Sequence, residues 1–136
     1  MIKYIIATHG TLSEGFLNAL ELFLGDGYEI HTISAYIDEI SLEDKFNDII
    51  SKFNKNDEVI VFTDINGGSV NQFFTKRLLA SHNLHVITGV NLGLIIELIL
   101  CLGSTVNTQI IETAITQARE QILYMNETIS LLMKCV

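Results

Sequence analysis

The sequence predicts an α/β domain, a doubly wound and mainly parallel sheet of about four strands flanked by helices. Two observations carry this. Short apolar runs of strand length alternate with segments whose apolar residues recur at helical spacing. Two of these runs, Tyr4-Ile5-Ile6 and Val59-Ile60-Val61-Phe62, also lead directly into loops that open helices, as strands do in crossover units.

Ile2 to Ala7 is the first strand. Thr11-Leu12-Ser13-Glu14 then supplies a capping box, and Phe16, Leu17, Leu20, Phe23 and Leu24 keep helical spacing up to Gly25. Glu29 to Ala35 alternates as a second strand. Ser41-Leu42-Glu43-Asp44 starts a second helix with Phe46, Ile49, Ile50 and Phe53 on its inner face. Glu58 to Thr63 is the third strand. Ser69-Val70-Asn71-Gln72 reads as another capping box, which puts Gly67-Gly68 at a helix start, with Phe73, Phe74, Leu78 and Leu79 following. Leu84 to Thr88 is the fourth strand, Leu92 to Leu102 a buried helix, and Thr108 to about Tyr124 a longer one. Thr128 to Val136 reads as either a short strand or a helix tail.

At 136 residues the chain fits one domain, residues 1–136. Hydrophobic residues at 49% and charged ones at 18% predict a folded chain. The mean hydropathy of +0.38 fits a large sheet core or a buried subunit interface. A formal charge of −8 argues against nucleic acid or an anionic lipid surface as partner. Cys101 and Cys135 lie far apart in apolar surroundings and predict buried free thiols, in keeping with a reducing cytoplasm. The longest apolar stretch, Leu92 to Leu102, contains Glu97 and is about half a membrane span, so direct membrane insertion is not expected.

In the common strand order for a small sheet of this class, strand one lies between strands two and three, and a crevice opens at their carboxyl ends. His9 and Asp64 lie there. A neutral imidazole is a nucleophile, and an aspartate bonded to its second nitrogen fixes the tautomer and stabilises the cation formed on attack. Gly67-Gly68-Ser69 offers amides at a helix start, where an anion is favoured. A histidine that merely caps its turn, and a tight glycine turn before an N-cap serine, are the plain structural alternatives. Walker A and GxGxxG sequences are absent. His31, His82 and His85 read as structural or solvent-facing, and Asp38, Glu39, Glu43, Asp44 and Asp48 as a solvated helix edge.

Ile5-Ile6-Ala7-Thr8-His9-Gly10, the turn from Thr63 to Ser69, and Thr88-Gly89-Val90-Asn91-Leu92 together resemble the enzyme IIA domains of the mannose-type bacterial phosphotransferase system. The likeness covers nearly the whole chain in order and length. In that family the first-loop histidine takes a phosphoryl group from the phosphocarrier protein HPr and passes it to a IIB component. The resemblance implies that His9 is phosphorylated, that Asp64 orients it, and that Thr63, Gly67, Gly68 and Ser69 surround the phosphoryl oxygens. It implies a cytoplasmic transferase of sugar uptake, and the residues present call for no metal or other cofactor. It also implies a homodimer, formed in some members by exchange of a C-terminal strand, for which residues 128–136 are the segment here. Val70 and Gly93 stand where the family usually has proline. Two other readings share the same crevice: a phosphoryl donor to a dihydroxyacetone kinase, and a non-catalytic domain that senses phosphorylation. A hydrolase is disfavoured, because no second general acid is evident.

Overall fold

The apolar run after the first residue becomes β1, Ile2–His9, and it is buried from Tyr4 to Thr8. Burial of this run leaves its backbone N–H and C=O groups in need of partners along both edges. β1 pairs in parallel with β2, Ile30–Ala35, on one side and with β3, Glu58–Thr63, on the other. β4, Leu84–Ile87, extends the sheet beyond β3, giving the order β2-β1-β3-β4. The computed structural model describes residues 2–134, and the sheet it shows is all-parallel.

Side chains of β1 alternate between two layers, as the pleat demands. Tyr4 and Ile6 join Ile60 and Phe62 beneath α1 (Leu12–Leu24), α4 (Leu92–Leu102) and α5 (Thr108–Arg119). Ile5 and Ala7 join Val59 and Val61 beneath α2 (Leu42–Ile50) and α3 (Ser69–Arg77). On the second face Phe46, Phe73 and Phe74 meet edge to face, with centroids 4.9–6.0 Å apart. Val70 is fully buried in this layer and adds to its core area.

Most elements lie where expected, and several details differ. The Thr11 side chain does not cap α1. Thr8 does so from the end of β1, its Oγ1 accepting the Ser13 amide at 2.7 Å. Ser69 is likewise not the cap of α3. Gly68 holds the extended cap position, and Ser69 is the first helical residue. Ser41 caps α2 as expected, accepting the Asp44 amide at 3.0 Å. Cys101 is exposed, not buried, because it falls on the outer stripe of α4 beside exposed Leu100. Cys135 lies outside the described residues.

The helix expected to run to Tyr124 stops at Arg119, and the C-terminal segment forms a further helix, α6, Met125–Lys134. The strand alternative for residues 128–136 is therefore corrected over its described part. Ile129, Leu132 and Met133 follow helical spacing, and the Tyr124 carbonyl accepts the amides of Glu127 and Thr128, both at 3.1 Å. No residue of α6 is buried.

Candidate functional site

The order in which strands are added reverses at β1, between β2 and β3, so the carboxyl ends of these parallel strands frame a crevice. The register sets what stands there. Ala7 pairs with Thr63, and His9 pairs with Ala35. Asp64, one residue beyond β3, is thereby brought against His9, one chain position from the next pairing step. Asp64 Oδ2 accepts the backbone amide of His9 at 2.8 Å and meets its ring Nδ1 at 2.9 Å. The other oxygen, Oδ1, accepts the Ile65 amide at 2.9 Å.

Burial of the Asp64 side chain, 8% exposed, raises its pKa. The hydrogen bonds from the His9 amide, the His9 ring and the Ile65 amide outweigh that cost and hold the carboxyl below its ordinary 3.8. An ionised carboxylate only accepts, so Nδ1 carries the proton in the neutral ring and the lone pair lies on Nε2. The His9 side chain is 40% exposed. The arrangement is a part-exposed imidazole with its lone pair on Nε2 and an anion held against Nδ1.

Gly67 has φ +79, a conformation open to glycine and costly for residues with a Cβ. It turns the chain so that Gly68 closes on His9. A Cβ built on Gly68 would lie 3.4 Å from His9 Cε1 and 3.2 Å from the Ile65 carbonyl oxygen. The Gly67 amide donates to Asn71 Oδ1 at 3.1 Å and the Gly68 amide to the Ile65 carbonyl at 3.0 Å. Both glycine amides are thus engaged within the turn. The first amides of α3, beginning with Ser69, have no carbonyl one turn earlier in the helix to bond. Thr63 is fully buried behind the turn, donating its hydroxyl to the Ile87 carbonyl at 3.2 Å and accepting from Asn71 Nδ2 at 3.4 Å.

Tyr36 belongs to this site and was not singled out from the sequence. Its ring lies against the His9 imidazole, with centroids 5.4 Å apart and planes tilted by 43°, and its hydroxyl hydrogen-bonds Ser69 Oγ. One sequence signal points to it. Tyr36 directly follows β2, at the same end of the sheet as the two loops. Asn71, which ties Gly67 to Thr63, was read only as part of a capping box. The remaining histidines lie away from this end. His31 meets Glu29 at 3.0 Å, and His85 meets Glu58 at 2.8 Å. Among the described residues no group of three or more His, Cys, Asp or Glu side chains could hold a metal ion, and no helix is long and apolar enough to cross a membrane.

Residues 3–115 match the family model described as PTS system fructose IIA component. Three solved structures are similar over almost their whole length. A chain described as a phosphoenolpyruvate-dependent sugar phosphotransferase system permease, from Klebsiella pneumoniae, is 40% identical, with 94% of this chain and 93% of that one covered at a TM-score of 0.85. The phosphotransferase system component EIIA of Streptococcus agalactiae is 26% identical, with 93% and 99% covered at 0.78. The PTS IIA protein associated with the fucose utilization operon of Streptococcus pneumoniae is 26% identical, with 94% and 96% covered at 0.78. With its sheet order, its histidine–aspartate pair and a model match over most of its length, the chain belongs to the fructose- and mannose-type IIA components of the phosphotransferase system.

Proposed function

We propose that the chain, acting as a single domain over residues 1–136, is a phosphocarrier that accepts a phosphoryl group on His9 from HPr and passes it to a IIB component during sugar uptake in the cytoplasm. The observation that carries this is the bond between Asp64 Oδ2 and His9 Nδ1 at 2.9 Å, which leaves Nε2 as the nucleophile. In-line attack forms the Nε2–phosphorus bond as the donor's nitrogen–phosphorus bond breaks, its electron pair returning to the donor nitrogen. His9 keeps the Nδ1 proton and becomes a phosphorylated imidazolium, whose positive charge faces the Asp64 carboxylate. Transfer to IIB runs the same exchange with His9 as the leaving group.

The Ser69 amide and hydroxyl are the groups best disposed to hold phosphoryl oxygens, because the helix dipole favours an anion there. Gly68 supplies close approach to the ring, while Gly67 and Thr63 support the turn from within. A homodimer is part of the proposal. Ile129, Leu132 and Met133 on α6 are 50%, 64% and 74% exposed, an apolar stripe suited to a second copy.

Incubation with enzyme I, HPr and phosphoenolpyruvate, followed by mass spectrometry, tests the assignment. One phosphoryl group is expected on His9 and none on His9→Ala. Full labelling of His9→Ala refutes it. Labelling by HPr also separates this reading from a domain that only senses phosphorylation, and transfer onward to IIB rather than to a dihydroxyacetone kinase separates the two donor roles.

A further inference from the structure

Tyr36 is placed at a cost the core does not repay. Its φ is +66, the one positive value at a non-glycine residue among those described. An L side chain there crowds its own backbone, and such strain persists only where the surroundings impose it. Here they do so through the chain on both sides of the residue. The preceding residue, Ala35, is fixed by its pairing with His9 and by its carbonyl accepting the Gly10 amide at 2.8 Å. Two residues later, Asp38 is held by Lys45 at 3.0 Å. Burial does not explain the conformation, since Tyr36 remains 64% exposed. The turn instead carries the ring from edge strand β2 across the end of β1, against the His9 imidazole, and Ser69 at the start of α3 fastens its hydroxyl there.

We propose that Tyr36 is a positioning residue for phosphorylated His9, its ring covering one side of the imidazolium and keeping water from the Nε2–phosphorus bond. The inference rests on the phosphocarrier reading and adds to it the lifetime of the intermediate. In the competing hydrolysis, a water oxygen bonds to phosphorus and the Nε2–phosphorus bond breaks. Its electron pair returns to Nε2, and both water protons leave with dihydrogen phosphate. The electron-rich ring face stabilises the phosphorylated, positively charged imidazole more than the neutral imidazole that hydrolysis releases. The ring also occupies part of the approach that water would take. In the Tyr36–Ser69 pair one hydroxyl donates and the other accepts, so the acceptor's own proton is left to face a phosphoryl oxygen.

The test uses the full chain labelled by radioactive phospho-HPr, freed of donor, and follows loss of label at neutral pH in the absence of IIB. Tyr36→Ala is expected to lose label about 2- to 5-fold faster than wild type, the effect of one exposed aromatic–cation contact. Tyr36→Phe keeps the ring but loses the Ser69 fastening and is expected between the two. Tyr36→Gly relieves the positive φ. It should melt no lower than Tyr36→Ala, yet lose label as fast, which a merely structural role would not produce. Equal rates in wild type and Tyr36→Ala, both labelled on His9, overturn the role of Tyr36 and leave the carrier reading intact. Absence of label on wild-type His9 overturns the carrier reading, and this inference with it.

Discussion

Asp64 receives two hydrogen bonds from a single residue. Its Oδ2 accepts both the amide of His9 at 2.8 Å and the ring Nδ1 at 2.9 Å. The backbone bond places the carboxylate, and the side-chain bond then places the ring. Orientation of the imidazole is thus tied to the parallel pairing of β1 with β3 and does not depend on loop packing alone. Asp64→Asn keeps the size of the group but removes the charge that balances an imidazolium. Labelling of His9 by phospho-HPr should slow by about 10- to 100-fold, the rate equivalent of losing one hydrogen bond to a charged group. Asp64→Ala should do the same and cost about 1–3 kcal/mol of stability, since the His9 and Ile65 amides lose their acceptor. Stopped-flow labelling and urea denaturation measure the two effects. Wild-type labelling by Asp64→Asn would remove the aspartate from the mechanism.

The same bonds make stability depend on pH. The Asp64 carboxyl is held below 3.8 in the folded chain and returns to it on unfolding. Its contribution is therefore complete well above pH 3.8 and lost as pH falls through the lower native value. Acid titration of unfolding should show a steeper loss below about pH 4 in wild type than in Asp64→Asn. Parallel acid limbs in the two proteins would contradict the assignment.

Tyr4 gives the opposite limb. Burial, with a smaller contribution from Tyr28, pushes its hydroxyl from 10.0 up to about 12. Below pH 10 both states are protonated and nothing is lost. Between pH 10 and 12 the unfolded chain ionises first and stability falls, by about 2–3 kcal/mol at most. Its oxygen has no hydrogen-bond partner among the described residues. Tyr4→Phe should therefore keep or slightly raise the neutral-pH stability and flatten the alkaline limb. A loss of more than about 1 kcal/mol at pH 7 would show that the hydroxyl is bonded.

Gly68 tests how closely the turn must approach the ring. Its φ of −68 suits alanine, so Gly68→Ala does not strain the backbone. The added Cβ would sit 3.2 Å from the Ile65 oxygen and 3.4 Å from His9 Cε1, so the ring or the turn must shift by a few tenths of an ångström. Folding should change by less than about 1 kcal/mol while labelling falls about tenfold, because small misplacements of a reacting group cost rate more than stability. Equal losses in both would point to a disrupted turn.

How much was legible in the sequence differed by residue for physical reasons. Continuous apolar runs such as Val59 to Phe62 mark a buried strand whatever surrounds them, so the sheet was readable. His9 and Asp64 stood at strand ends, where topology alone makes neighbours of distant residues. Caps were harder to place. Ser69 satisfies the capping pattern, but the glycine before it takes the cap position and frees the serine hydroxyl for Tyr36. Tyr36 depends on a backbone angle that no side-chain pattern announces. Residues 128–136 carry apolar residues at positions compatible with either period, and the carbonyl of Tyr124, which starts the helix, lies outside that segment.

That C-terminal helix offers the last prediction. α6 buries none of its residues, so the packed layers of the domain do not depend on it. It also lies wholly beyond residue 115, where the family match ends. If its apolar stripe is covered by a second copy, the full chain should sediment as a dimer and its melting temperature should rise with protein concentration. A chain ending at residue 124 should sediment as a monomer, melt independently of concentration, and still accept phosphate on His9, which lies on another element of the fold. A full-length monomer at micromolar concentration would exclude α6 as a dimer contact. Loss of labelling on truncation would show that the helix reaches the site.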